Sequence, residues 1–329
     1  MPGRSRHKRR KVMALNAASF SRLSAHIGVF RHRTNVGVIE AEAGLYLVDS
    51  GDCDADGAEL CAALAELFPR KKVIAVLNTH GHPDHSGASW YLREHTGCKI
   101  LAPKKEGVFI ENPDLLTVIY WGGRPFRELR QPVFEAQHPC PVDGTLQDNS
   151  PDDALIGVSC IALPGHFYDQ QGILVRDKTD GKTVFFVADA FFGMSMLRKY
   201  WIPYMQDEAL FRESVHVIEK TPADTYIPSH GEPCSRETMQ ALAELNIIIT
   251  YETEDLILKL LSKQPLTQEE LLRQVADYAG IRMKLGQVIL IGCTLRAYLS
   301  CMYNRGLIAF EVTDNRLLWK TVPGRDAGA

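Results

Sequence analysis

Residues 79–87 read Thr79-His80-Gly81-His82-Pro83-Asp84-His85-Ser86-Gly87, and no other stretch narrows the fold as far. Three of the chain's eleven histidines and one aspartate fall within six residues. Neutral imidazoles and a carboxylate are the donors that borderline cations such as zinc prefer, and packing has no use for four of them so close together. A solvated His-rich turn is the plain alternative, but it leaves the donor candidates downstream unexplained. The preceding run Val73-Ile74-Ala75-Val76-Leu77 is short, apolar and β-branched, as in a strand buried on both faces. Ser86 to His95 then reads as a helix closed by Gly97. The donors therefore sit where a strand end passes into a helix start. His80 and His82 can converge on one ion from there, while Asp84 and His85 turn towards a second.

One loop does not complete a metal site, and other strand ends offer the rest. Ile161-Ala162-Leu163-Pro164-Gly165-His166 reads as a strand ending in histidine, with Gly165 permitting a tight backbone approach. Val184-Phe185-Phe186-Val187-Ala188-Asp189 ends in a carboxylate among apolar residues, which needs a partner. Thr225-Tyr226-Ile227-Pro228-Ser229-His230-Gly231 repeats the pattern. Taken singly, each is more often a satisfied polar residue than a ligand; their common grammar argues the other way.

The ordered set His80-x-His82-x-Asp84-His85, His166, Asp189, His230 resembles the five-motif signature of the metallo-β-lactamase fold hydrolases, with Asp49 in Leu47-Val48-Asp49-Ser50-Gly51 matching the first motif. The match spans residues 34 to about 233. The resemblance implies that His80, His82 and His166 hold a first metal, that Asp84, His85 and His230 hold a second, and that Asp189 bridges both. It makes Asp49 the residue that orients the histidine loop. It implies two zinc ions as cofactors, with iron or manganese as alternatives. One departure stands out: relatives commonly follow the third-motif histidine with Ser or Thr and Pro, whereas Phe167-Tyr168-Asp169 follows here.

Two adjacent divalent cations lower the pKa of a shared water and polarise the carbonyl or phosphoryl oxygen under attack, so no side-chain nucleophile is needed. Asp84 is then expected to orient that metal-bridging hydroxide or to pass its proton to the leaving group. Tyr168 and Tyr204 are the candidates for hydrogen bonding to substrate or to a developing oxyanion.

The fold expected is α/β: a four-layer αβ/βα metallo-β-lactamase sandwich with a small C-terminal winged-helix-like domain. A chain of 329 residues exceeds what one core usually serves, so two domains are the prior. Strands over Asn35–Ile39 and Leu45–Val48, then a helix over Asp56–Leu67 with Leu60, Ala63, Leu64 and Leu67 at helical spacing, open the metal-binding domain of residues 13–233. Residues 234–329 form the second domain. There a long helix runs from Ser235 to about Lys263, and Thr267-Gln268-Glu269-Glu270 is a capping box opening a helix that ends near Gly280. Val288, Ile291, Leu295, Tyr298, Leu299 and Met302 mark a third helix stopped by Gly306, and Leu307–Thr313 with Arg316–Val322 flank Asp314-Asn315 as a hairpin. Residues 104–150 are Pro-rich and read as an irregular insertion or lid. The run Phe191, Phe192, Met194, Met196, Leu197, Tyr200, Trp201, Ile202, Tyr204, Met205 reads as a substrate pocket wall, a dimer face or core.

Residues 1–12 form a basic flexible tail with six Lys or Arg and no acid, which leaves 31 basic against 40 acidic residues in the remainder. The tail suits nucleic acid or an anionic membrane, or is simply sequence upstream of a start at Met13. No apolar run is read as approaching the roughly 20 residues that span a bilayer, and no signal peptide is read. The eight cysteines form no C-x-x-C pair, so reduced thiols and a cytoplasmic setting are expected. Residues 251–329 hold ten basic and nine acidic side chains, too few cations for a DNA-reading helix.

The expectation is a dinuclear metal-dependent hydrolase that cleaves an ester, thioester or lactone of a small molecule, akin to glyoxalase II. A phosphodiesterase or RNA-processing nuclease of the same fold is the first alternative, and an iron-dependent oxygenase or redox protein the second. The expected partners are a small-molecule substrate and a second copy of the chain; nucleic acid is disfavoured by charge, and no membrane is expected.

Overall fold

The computed structural model describes residues 14–194, 196–197 and 202–322. Seven strands make the first sheet in chain order: β1 (Phe20–Arg22), β2 (Ile27–Phe30), β3 (Val36–Glu40), β4 (Leu45–Val48), β5 (Val73–Leu77), β6 (Lys99–Ala102) and β7 (Gly144–Thr145). The first four pair antiparallel, and β4 to β7 pair parallel. In the second sheet β8 (Ile156–Ala162), β9 (Gln171–Asp177) and β10 (Thr183–Ala188) are antiparallel, and β11 (Thr225–Pro228) lies parallel to β10.

Period-two alternation sorts the strand side chains into layers. Ile39, Val48, Ala75 and Leu77 of the first sheet meet Ile173, Val175, Val184, Phe186 and Ile227 of the second in one buried cluster. Their sequence neighbours Val38, Leu47 and Val76 point the opposite way, onto Leu60 and Leu64 of α1 (Asp54–Leu67) and Leu92. On the second sheet's outer face, Phe185, Val187 and Tyr226 pack on Phe211, Val215 and Ile218 of the helix Glu208–Lys220. Helix, sheet, sheet, helix is the four-layer sandwich that the sequence led one to expect.

The loop after β5 starts one short helix, α2 (Pro83–Ser86), and a second, α3 (Ser89–Thr96), where a single helix was expected. Gly97 closes α3 in the left-handed region at φ 71°, as read from the sequence. Three readings need correction. The strand placed over Ile161–His166 ends at Ala162, so His166 lies in the turn between β8 and β9. The insertion is not irregular throughout: α4 (Lys104–Glu111) and α5 (Asp114–Trp121) occupy its first half. Finally, the helix Leu285–Asn304 is long and apolar enough by length and composition to cross a membrane, at mean hydropathy 1.4, although 44% of that window is buried inside the molecule. Its Leu295, Tyr298, Leu299 and Met302 belong to the same buried cluster as Phe185 and Val187.

The C-terminal elements follow the expected order: helices Arg236–Leu261, Gln268–Tyr278 and Leu285–Asn304, then β12 (Ile308–Thr313) and β13 (Arg316–Thr321). Ser235 caps the first of these helices, and the Thr267–Glu270 capping box is formed in both directions. Asp314 and Asn315 take φ 51° and 59°, the paired positive values of a primed hairpin turn. All eight cysteines are free thiols.

Candidate metal centre

The parallel strands β4 and β5, and β10 and β11 across the sandwich, all deliver their C-terminal ends to one edge. Asp49 follows β4, His80 follows β5, Asp189 follows β10 and His230 follows β11. Two of these exits are strained: Asp49 at φ 62° and Ala188 at φ 52° sit in the left-handed region, which non-glycine residues enter at a cost. Gly165 fills its sequence-assigned role, since at φ 120° a Cβ there would lie 2.2 Å from the backbone N of Phe211. No other residue lets the His166 turn lie so close to the helix Glu208–Lys220.

All seven ligand candidates come together, in overlapping groups. His80, His82 and His166 form one, Asp84, His85 and His230 another, and Asp189 joins His80 and His85 in a third. His80 Nε2 and His166 Nε2 each lie 3.0 Å from His82 Nδ1. Asp189 Oδ2 faces both sets, at 3.5 Å from His166 Nε2, 3.7 Å from His85 Nε2 and 3.3 Å from His230 Nε2. Asp84 Oδ2 lies 3.1 Å from His230 Nε2 and 3.8 Å from His85 Nε2.

Outer hydrogen bonds fix which imidazole nitrogen carries the proton. Asp49 accepts from the Thr79 backbone N–H at 2.8 Å and from the Thr79 hydroxyl, and its Oδ2 lies 2.8 Å from His85 Nδ1. The Thr79 proton is thereby committed to Asp49, so His80 Nδ1, 3.1 Å away, donates to the Thr79 oxygen. His166 Nδ1 donates to the Tyr204 carbonyl and His230 Nδ1 to the Arg33 carbonyl, each at 2.8 Å. In its neutral form each of these four rings therefore turns a lone pair on Nε2 towards the centre.

Burial pushes the pKa of His80, His82 and His166 down, the first two well below the usual imidazole value. His82 Nδ1 faces the Nε2 lone pairs of both His80 and His166 at 3.0 Å, and its one proton at most cannot satisfy both fully, a deficit that a cation among the three rings would relieve. Burial also pushes His85 down, yet Asp49, Asp84 and Asp189 outweigh it and hold the ring up at about 10. His85 Nε2 is buried with no hydrogen-bond partner. Inward lone pairs, an orphaned nitrogen and carboxylates that favour positive charge together fit a divalent cation.

Several contributors went unread in the sequence. Thr34 Oγ1 lies 3.4 Å from Asp84 Oδ2, and the Asn35 amide donates to the carbonyls of Pro228 and Gly231. Glu106 of α4 accepts backbone N–H groups from Gly81 and Asp169. Tyr120 of α5 is buried, with its ring centroid 6.4 Å from His82 and 5.5 Å from Tyr204. Tyr204 itself stands over the histidines, 5.5 Å from His82 and 5.4 Å from His166. Tyr168 lies further out, 47% exposed and stacked on Phe109. Of the aromatic and Met run after Asp189, Phe191, Phe192, Leu197, Ile202 and Met205 are core, while Tyr200 and Trp201 lie outside the described residues. So does the basic tail of residues 1–12.

The model of the metallo-beta-lactamase superfamily matches residues 29–230, more than half the chain, and the protein belongs to that superfamily. It is a metal-dependent hydrolase by family and fold. A probable metallo-hydrolase of Methanocaldococcus jannaschii is 23% identical over 166 residues, which are 49% of this chain and 71% of the relative. Among solved structures, a beta-lactamase domain protein from Burkholderia ambifaria superimposes with TM-score 0.70 at 16% identity, covering 93% of this chain and 94% of that one. A metallo-beta-lactamase family protein from Thermus thermophilus gives TM-score 0.63 at 18% identity, covering 90% and 94%.

Proposed function

We propose that the protein cleaves an ester, thioester or lactone of a small molecule, and that His80, His82 and His166 would hold one divalent cation and Asp84, His85 and His230 a second, with Asp189 available to both and zinc favoured by the donor set. The observation that carries the substrate class is the roof over the histidines. Phe109, Tyr120, Phe134 and Phe167 form one buried cluster with Leu116, Leu129 and Ile289, and Tyr204 packs against it. An aromatic, uncharged roof suits an acyl group better than a phosphodiester, which calls for cations.

When bound, the metal pair supplies an acidified water and a Lewis acid for the carbonyl oxygen. The protein's own groups do the rest. Asp84, with its side chain 38% exposed, can take a proton at its open face and deliver it to the leaving oxygen or sulfur. The Tyr204 hydroxyl accepts from Gln206 Nε2 at 3.0 Å, which leaves its own proton to donate to a developing oxyanion. Tyr168, exposed at the rim on Phe109, offers a face to the apolar part of the substrate. The test is metal content of the purified protein, followed by assay of the same sample on a thioester, a lactone, an aryl ester and a phosphodiester. Turnover is expected on one of the first three. Preference for the phosphodiester would replace this reading with a nuclease, and two equivalents of iron with oxygen uptake would end both hydrolytic readings.

A further inference from the structure

The three-histidine group is drawn from two loops, His80 and His82 after β5 and His166 between β8 and β9, whose backbones meet where the Gln171 N–H donates to the Thr79 carbonyl at 3.0 Å. Nearer the histidines, a side chain adds a second link. Glu106, fully buried on α4, accepts the Gly81 N–H on Oε2 at 3.0 Å and the Asp169 N–H on Oε1 at 2.6 Å. Gly81 stands between the two loop histidines, and Asp169 stands three residues after His166. The approach is close by design of the residue types: a Cβ on Gly81 would lie 2.8 Å from the Glu106 carbonyl oxygen and 2.9 Å from Phe109 Cβ. Phe109, one helical turn on, packs at 5.0 Å on Phe167, whose ring lies 4.3 Å from that of His82. The same short helix thus holds the loops by a carboxylate and by an aromatic contact.

We propose that Glu106 is the positioning residue of the three-histidine site, a staple whose two carboxylate oxygens set the spacing between His80, His82 and His166. It holds the Asp169 end of the Phe167-Tyr168-Asp169 turn, and its two hydrogen bonds go to Gly81 and Asp169 and not to Asp84, His85 or His230. The inference rests on the metal-centre reading above.

Glu106→Gln keeps size and shape but turns one acceptor into a donor facing a backbone N–H, so one of the two bonds is lost. The measurement is zinc affinity by chelator competition on two backgrounds. His230→Ala retains the three-histidine group, and His82→Ala retains Asp84, His85 and His230. Adding Glu106→Gln is expected to weaken zinc about 10- to 100-fold on the first background and by no more than about threefold on the second. Equal weakening on both means general loosening of the fold and overturns the staple, as does no weakening on the first. Metal-free thermal melts of each pair show whether the variant folds. If Glu106→Gln does not, Glu106→Met on the same two backgrounds carries the comparison, with the same outcomes deciding. Absence of metal binding by the unsubstituted protein defeats the metal-centre reading instead.

Discussion

At His230 the Nδ1–H is committed to the Arg33 carbonyl 2.8 Å away, and at His166 to the Tyr204 carbonyl at the same distance. These bonds set ring orientation and tautomer before any ion arrives. Asp84 differs: side-chain contacts to Thr34, His230 and, at 3.8 Å, His85 hold it, and it is partly open to solvent. Asp84→Asn keeps length and one oxygen but abolishes proton transfer. It is expected to lower kcat by about 100-fold or more, with metal quantified in the same sample. Wild-type kcat at unchanged metal content would remove Asp84 from the proton path. The ligand candidates that the fold brings together were legible in the sequence because histidine and aspartate at strand ends carry a residue-type signature. The carbonyls of Arg33 and Tyr204 were not, since every residue has one. Glu106 and Tyr120 were hidden for another reason: what they touch is distant in sequence.

The elements read best were those whose patterns depend on few neighbours. Val73–Leu77 and Leu45–Val48 lie where β-branched and apolar runs put them, and the Asp314-Asn315 turn forms as its residue types demand. The C-terminal capping box is one such local signal. The Thr267 side chain meets the Glu270 N–H at 3.2 Å, and Glu270 Oε2 accepts the Thr267 N–H at 2.8 Å. Thr267→Ala is expected to lower unfolding free energy by about 1 kcal/mol in a urea melt. An unchanged midpoint and slope would show that tertiary packing alone holds that helix. The insertion misled because its prolines were counted as breakers. Pro103 and Pro113 stand at the N-caps of α4 and α5, where a missing N–H costs nothing. Strands β1 and β2 carry Gly28 and short polar flanks, and they are held by the ladder in which β1 pairs with β2 and β2 with β3 more than by their own pattern.

Across the whole molecule, the two sheets are tied at the end away from the metal ligands by Asp177. Its fully buried carboxylate accepts from the Ser24 hydroxyl at 2.7 Å, the His26 N–H at 2.6 Å and the Thr179 N–H at 3.0 Å. Burial pushes its pKa up, but these hydrogen bonds outweigh it and hold the group at about 2, below the ordinary 3.8. A depressed carboxylate stabilises the fold above its unfolded pKa, and that stability is lost as pH falls from about 4 to about 2. The difference corresponds to about 2 kcal/mol. Asp177→Asn is therefore expected to be less stable than wild type at pH 7, with the gap closing towards pH 2 in denaturant titrations. A gap that stays constant with pH would mean that shape, not charge, makes the tie.

The division of the ligands along the chain has a consequence for biosynthesis. His80, His82, Asp84 and His85 belong to the first sheet, and His166, Asp189 and His230 to the second, so neither ligand group is complete within the first half. A chain emerging from the ribosome holds the beginnings of both groups for as long as residues 166–230 are still to come. Lasting capture of an ion then waits until the second sheet has closed on the first. Metal uptake by these groups would thereby mark the completion of folding and not an early step in it.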